Sequence, residues 1–244
     1  MSKAPAVDYA LDIIEYLSKM NCPLGITDIS NALLINKNAT SRILESLLEN
    51  GWIYCSDEGQ KKYRLTLKPY LMVSKCVNDS DLIKIAEPFL KELHICLGDS
   101  VYLGIKKEKT VLYLLHYDSI KEVRISGCVG GEYPLHTSAP GKILLAWSKD
   151  EVIDAYFDNN SSKFKKEAVK IKERLYALDN EEYGKGIICY AAPIFNAKGE
   201  VVASIGVSSL TIYDDINSLT LNKGKIVSKY ANKISEALGY NSNK

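Results

Sequence analysis

The chain has 244 residues, a formal net charge of +1, 46% hydrophobic and 25% charged residues. That apolar share builds cores, so disorder along the whole chain is excluded, and the length suits two modest domains better than one. No apolar run nears the ~20 residues of a membrane-spanning helix. Asp8, Asp12 and Glu15 stand where a signal peptide needs an apolar stretch, so a cytoplasmic protein is expected. Near-zero charge also weighs against nucleic acid, whose protein ligands are usually basic.

In chain order, residues 6–20 read as a helix, with Ala10, Leu11, Ile14 and Leu17 three or four apart. Pro23 and Gly25 break it. Thr27 then reads as the cap of a short helix facing inward through Ile29 and Leu33. A third helix is expected over 37–49, stopped by Asn50-Gly51. A hairpin follows over 52–65, turning at Asp57-Glu58-Gly59. Residues 68–97 read as helical, with Leu82, Ile85, Ala86, Phe89, Leu90 and Leu93 on one face and Pro88 as a kink.

From residue 100 the texture becomes β-rich. Strands are expected at 101–105 and 111–116, and two short ones within 122–135. A helix is expected over 138–147. Ser148-Lys149-Asp150-Glu151 reads as a capping box for the next helix. A charged helix is expected over 165–179, ending at Asp179. Strands at 187–195 and 200–208 join through Asn196-Ala197-Lys198-Gly199, and a last helix covers 214–238.

The six cysteines, Cys22, Cys55, Cys76, Cys96, Cys128 and Cys189, form no C-x-x-C pair. Neither a zinc site nor a disulfide framework is expected, and most of them read as small buried hydrophobes. His94, His116 and His136 form no metal-ligand pair, so no metal or other cofactor is expected.

Three short helices and a hairpin make a winged helix-turn-helix. In the third helix Ala39, Thr40, Ile43, Leu44, Leu47 and Leu48 share one side. The other side is graded. Lys37, Asn38, Ser41 and Arg42 offer hydrogen-bond donors to bases or phosphates in its first half, while Glu45 and Glu49 sit behind them. Lys61, Lys62 and Arg64 fall on the hairpin, where a wing touches the DNA backbone. Residues 1–78 hold nine Lys/Arg against eight Asp/Glu. One copy therefore binds weakly, and a dimer on two half-sites is expected.

At these residues the chain resembles the isocitrate-lyase-regulator (IclR) family of bacterial transcription factors. The resemblance runs through Gly25-Ile26-Thr27-Asp28-Ile29, Lys37 to Leu44, Leu47 to Ile53 and Tyr63-Arg64-Leu65. Two further segments match the same family in order: Pro134 to Ala146, and Asp179 to Tyr183 followed by Gly186 to Phe195 and Ile205 to Ser208. The resemblance covers nearly the whole chain.

It implies an α+β architecture: a winged helix-turn-helix DNA-binding domain (1–75), a linker helix (76–97) and a GAF-like α/β effector-binding domain (98–244). It also implies a homodimer or dimer of dimers on double-stranded operator DNA, with a small organic acid or aromatic compound as effector. A repressor is expected. Pocket positions implied by the resemblance are Ile125, Tyr133, Ala139, Pro140, Gly141, Asp179, Cys189, Gly206 and Ser208.

Residue chemistry supports such a pocket by itself. Ser138-Ala139-Pro140-Gly141 opens a helix whose N–H groups could receive a carboxylate. The 196–199 turn pairs the strands that carry Cys189 and Ser208. Two departures matter. Pro140 has no N–H where some relatives use one, and Gly206 stands where they carry a hydroxyl. An effector larger or less polar than glyoxylate or pyruvate is therefore expected.

Two rival classes compete. A hydrolase would use Cys189 as nucleophile, His136 as base and Asp179 as orienter. Against it, Cys189 lies mid-strand in an apolar run, which favours an inert thiol. The other rival is a ligand-binding or protein-interaction module whose winged domain reads no DNA. For a regulator the expected mechanism is a population shift: effector in the 98–244 domain biases the DNA heads through the intervening helix.

Overall fold

The computed structural model describes residues 4–20, 22–57, 59–69, 71–72, 81–158 and 160–241. They form two compact units, residues 1–79 and 80–244.

The first unit contains α1 (Pro5–Lys19), β1 (Leu24–Gly25), α2 (Ile26–Leu33), α3 (Lys37–Glu49), β2 (Ile53–Asp57) and β3 (Lys62–Leu65). Its core is Ile13, Leu17, Leu24, Ile29, Ile35, Leu44, Leu47 and Ile53. The inner stripe of α1 runs through Ile13 and Leu17, while Leu11, expected inside, is exposed. Helix α2 is capped at Gly25, not Thr27: the Asp28 carboxylate reaches back and accepts the Gly25 N–H at 3.0 Å. Helix α3 starts on Asn36, whose Oδ1 accepts the Asn38 N–H at 2.9 Å. It stops at Gly51, which takes a left-handed φ of 68° at no steric cost. The hairpin gains a third strand that the sequence did not announce, with Leu24 opposite Tyr63 and Gly25 opposite Lys62.

The second unit contains α4 (Asp81–Leu97), β4 (Ser100–Lys107), β5 (Thr110–Tyr117), β6 (Glu132–Pro134), α5 (Ala139–Ala146), α6 (Asp150–Tyr156), α7 (Ser162–Arg174), β7 (Ala177–Asn180), β8 (Ile187–Phe195) and β9 (Val201–Leu210). It ends in α8 (Ile216–Ser218), a π-helical segment (Leu219–Gly224) and α9 (Lys225–Ala237). One antiparallel sheet has the order β6-β5-β4-β9-β8-β7.

Period-two alternation decides what each face carries. Val101, Leu103, Ile188, Tyr190, Ile205 and Val207 pack with α4 and α9. Tyr102, Cys189 and Ala191 turn to the other face, with α5 and α7.

Three further expectations differ from what forms. Only one strand, the three-residue β6, occupies 122–135 among the described residues. The box at 148–151 does not form: Ser148 Oγ donates to Leu144 O, and the cap position of α6 is Lys149 without a side-chain bond. Helix α7 ends at Arg174, where Leu175 turns left-handed at φ 58°, so Asp179 lies in strand β7 and ends no helix. The proposed 76–97 linker falls partly on 73–80, outside the described residues. Its remainder, α4, buries Ala86, Leu90 and Leu93 in the second unit's core, because these side chains cover the sheet between β4 and α9.

Candidate effector cavity and DNA-reading helix

The second unit holds a partly enclosed hollow on the α5 face of its sheet. It is lined by Ser100, Tyr102, Tyr113, His116, Ile125, Gly127, Tyr133, Ser138, Pro140, Asp179, Tyr183, Ile187, Cys189 and Ser208. Strand register brings the polar members together. Cys189 stands opposite Ser208, with Sγ 3.1 Å from Oγ, and opposite Asp179 on its other side. Beyond β9, Ser208 is opposite Ser100, and Gly206 is opposite Tyr102.

An aromatic column makes one wall. The Tyr102 and Tyr113 rings stack at 4.6 Å and 8°, Tyr133 follows at 4.3 Å from Tyr113, and Tyr183 meets Tyr133 edge-on at 5.8 Å. The rim segment after β5 is tied down. Ser119 N–H donates to Ser100 Oγ, which donates to Ile125 O, and Lys121 Nζ lies 2.5 Å from Asp99.

Three buried side-chain polar atoms lack a hydrogen-bond partner among the described residues: Tyr102 OH, His116 Nδ1 and Asp179 Oδ2. All three belong to residues of this lining. Buried polar atoms are ordinarily satisfied, and leaving one unpaired costs about 1–3 kcal/mol. Their convergence marks a place shaped for a guest.

Each orphan has a local cause. Asp179 spends Oδ1 on the N–H groups of Glu182 and Tyr183, at 2.8 and 3.2 Å, which leaves Oδ2 over. His116 commits Nε2 to Asp118 Oδ1 at 2.9 Å, so a neutral ring carries its proton there and presents a bare acceptor at Nδ1. Burial pushes the Asp179 carboxyl above its ordinary value, against the lowering by the two N–H groups. Burial, then the Asp179 charge, pushes the Cys189 thiol up to about 12. At neutral pH that thiol stays protonated, so the sulfur is no nucleophile.

Six of the nine expected pocket residues line the hollow: Ile125, Tyr133, Pro140, Asp179, Cys189 and Ser208. Ala139, Gly141 and Gly206 do not. Ala139 is wholly buried in the core under α5. Gly141 packs against backbone and gives its N–H to Ser138 Oγ, while Pro140 has none, so the start of α5 offers a guest far fewer donors than expected. Gly206 is covered by the Tyr102 ring. His136, the imagined base, bonds Tyr156 OH at 2.8 Å and is absent from this lining.

Sequence reading missed Tyr102, Tyr113, His116 and Tyr183. The alternation of β4, read against that of Cys189 and Ser208, was a usable signal for Tyr102. The pocket is also tighter than expected, with free space of about 30 Å3. That is far below the roughly 150 Å3 cavity that holds a benzene ring.

In the first unit, Lys37, Asn38 and Arg42 are exposed on the leading half of α3, with Glu45 and Glu49 exposed behind them. Thr40, Leu44 and Leu47 are buried, whereas Leu48, expected inside, is exposed. Ser41 is half-buried, and Arg42 also edges a groove against Tyr9 of α1. On the wing, Lys61 occupies the turn at φ 47°, Lys62 begins β3 half-buried, and Arg64 is exposed. No helix among the described residues is long and apolar enough to cross a membrane, and no cluster of His, Cys, Asp or Glu there could hold a metal ion.

A helix-turn-helix head and a curled antiparallel sheet with a buried hollow define a ligand-responsive DNA-binding regulator. Residues 6–55 match the IclR helix-turn-helix domain, and residues 74–236 match the C-terminal domain of the bacterial transcriptional regulator IclR. The chain belongs to the IclR family of transcriptional regulators. It is 30% identical over 235 residues to the HTH-type transcriptional regulator KdgR of Dickeya chrysanthemi, covering 89% of this chain and 74% of that one. KdgR of Escherichia coli is 28% identical over 230 residues, covering 89% and 86%. Thermotoga maritima IclR superposes with a TM-score of 0.80 at 22% identity, covering 97% and 99%. An IclR homolog from Microbacterium hydrocarbonoxydans, complexed with 4-hydroxybenzoate, gives 0.83 at 16% identity, covering 96% and 98%. These relatives are regulators and not enzymes.

Proposed function

We propose that this regulator is a repressor whose effector is a small, hydroxylated monocarboxylic acid bound in the tyrosine-walled hollow. The observation that supports this reading is that three residues lining one cavity, Tyr102, His116 and Asp179, each hold a buried polar side-chain atom without a well-formed hydrogen bond. Tyr102 donates, and His116 Nδ1 accepts from a hydroxyl. A protonated Asp179 donates to the guest's carboxylate, a state that its burial favours.

No lysine or arginine lines the hollow, which disfavours a polyanion. The free space disfavours an aromatic ring. A guest enters by displacing Tyr133 and Tyr183, neither of which is fully buried.

The leading half of α3 reads base edges through Lys37, Asn38, Ser41 and Arg42, while Lys61, Lys62 and Arg64 hold the DNA backbone. With nine cations against eight acids before residue 79, affinity comes from a homodimer, or a dimer of dimers, engaging repeated half-sites. The domain limits 1–75, 76–97 and 98–244 remain part of this reading, with the segment up to Leu97 carrying the effector's influence to the DNA head.

The test is a calorimetric and thermal-shift panel of glycerate, lactate, glyoxylate, pyruvate, benzoate and 4-hydroxybenzoate. A true effector at 100 times its Kd stabilises by about 2.7 kcal/mol, a rise of several degrees. The hydroxy acids are expected to give that rise and to shift a gel-mobility titration on upstream DNA. Tighter binding of the benzoates, or hydroxy-acid binding unchanged in folded Asp179→Ala, overturns the reading.

A further inference from the structure

We infer that Tyr102 is the specificity-determining residue of this cavity, setting both the upper size and the polarity of the effector. The inference rests on the hollow being the effector site.

Tyr102 and Gly206 are directly opposite on β4 and β9. A Cβ at 206 would lie 2.5 Å from the ring's Cε2 and 2.7 Å from its hydroxyl oxygen, so the hydroxyl end of the ring lies against the bare backbone of Gly206. An aromatic laid over a glycine on the next strand restores the packing that the glycine lacks. The ring's other side is closed by Tyr113, stacked at 4.6 Å.

Tyr102 therefore fills a slot with a floor and a ceiling and has no room to swing. It heads the ranking of fully buried side chains by volume, at 1% exposure. With Tyr113 it fills most of that wall, and about 30 Å3 remains open. The same residue ends in a hydroxyl that lies beside Ser208 and Cys189 and makes no well-formed hydrogen bond. One side chain thus excludes a ring-sized guest by volume and demands an acceptor from a small one.

Glycine at 206 is what makes this possible. Any side chain there would expel the phenol from its slot. Removing the phenol instead leaves a hole of its own shape beside the existing space, and dry holes of that kind take up matching small molecules.

The test compares wild type, Tyr102→Phe, Tyr102→Leu, Tyr102→Ala and Asp179→Ala against glycerate, lactate, phenol and 4-hydroxybenzoate by calorimetry, with melting curves as the folding check. Tyr102→Phe keeps the packing. It should lose about tenfold in affinity for the hydroxy acids, as expected for one hydrogen bond, and still exclude both aromatics. Tyr102→Ala should bind phenol and 4-hydroxybenzoate at least tenfold more tightly than wild type, and Tyr102→Leu should shift the same way to a smaller extent. If Tyr102→Ala does not fold, Tyr102→Leu decides size and Tyr102→Phe decides polarity. A wild-type ligand profile in the folded variants overturns the inference. If folded Asp179→Ala still loses the acids in that case, the cavity assignment stands and only the role of Tyr102 falls. If Asp179→Ala is also unchanged, the cavity assignment falls with it.

Discussion

Lys142 Nζ lies 2.6 Å from Glu182 Oε1, 3.0 Å from Glu167 Oε1 and 3.1 Å from Leu178 O, in the core beneath α5. The lysine is almost wholly buried, while both glutamates are partly exposed. It ties α5 to α7 and to the 181–183 turn, whose N–H groups fill one oxygen of Asp179. Lys142→Met keeps the stem's packing but removes the tie, and the glutamates can hydrate. The loss is expected to be about 1–3 kcal/mol in urea unfolding, below the usual cost of breaking a fully buried pair. Lys142→Ala should lose more, and Glu182→Gln less than about 1 kcal/mol.

Asp179 carries a conflict between stability and binding. Burial raises its folded pKa above the unfolded value, so the proton is held more tightly in the native state. Its stabilising contribution is complete below the unfolded pKa and is lost as pH rises through the folded pKa. At pH 7 the buried carboxylate destabilises. Asp179→Asn should therefore raise Tm at pH 7 by a few degrees, on the order of 1 kcal/mol, with the gain vanishing toward pH 4. The same variant keeps a donor at this position and should bind hydroxy acids at pH 7 at least as tightly as wild type, whereas Asp179→Ala should bind them at least tenfold more weakly. Calorimetry in buffers of different ionisation enthalpy should detect proton uptake on binding, with affinity rising from pH 8 to pH 6.

The proposed recognition by α3 makes opposite demands on its two halves. Arg42→Ala and Lys37→Ala should each weaken operator binding, and where the contact is to phosphate each should flatten the log Kd against log salt slope by about 1. Glu45→Gln should leave affinity unchanged or tighten it. Fluorescence anisotropy across a salt series reads all three, and an unchanged Arg42→Ala curve would remove α3 from the interface.

Two glycines should answer differently to alanine. At Gly141 a Cβ would meet Leu135 Cα at 2.5 Å and the carbonyl oxygens of Pro134 and Leu135 at 2.7 Å, all backbone that cannot yield cheaply. Gly141→Ala is expected to cost roughly 1–3 kcal/mol or more by overpacking. At Gly130 nothing lies within 4 Å, and only the left-handed φ of 84° resists, about 1–2 kcal/mol. Chemical denaturation of both variants checks the order.

Local chemistry made much of the molecule legible before folding. Asn36 and Gly51 bracket α3 because a capping side chain and a left-handed glycine act within a few residues. The 196–199 turn placed Cys189 against Ser208 for the same reason. Where local signals were ambiguous, neighbours decided. The charged periodicity of α7 would run on to Asp179, but pairing with β8 takes residues 177–180 into the sheet. Gly25 outcompeted Thr27 as a cap because the Asp28 carboxylate falls within reach of its N–H.

The sequence by itself determined the two units, the graded face of α3 and the strands that carry the pocket, since all of these follow from periodicity and short-range caps. Only the tertiary structure decided what the pocket is like. Its size depends on Tyr102 lying across Gly206, about a hundred residues away in the chain, and its polarity depends on three atoms that folding leaves without partners. Packing across a sheet joins residues that no local pattern relates, and an unmet hydrogen bond exists only once everything around it has been placed.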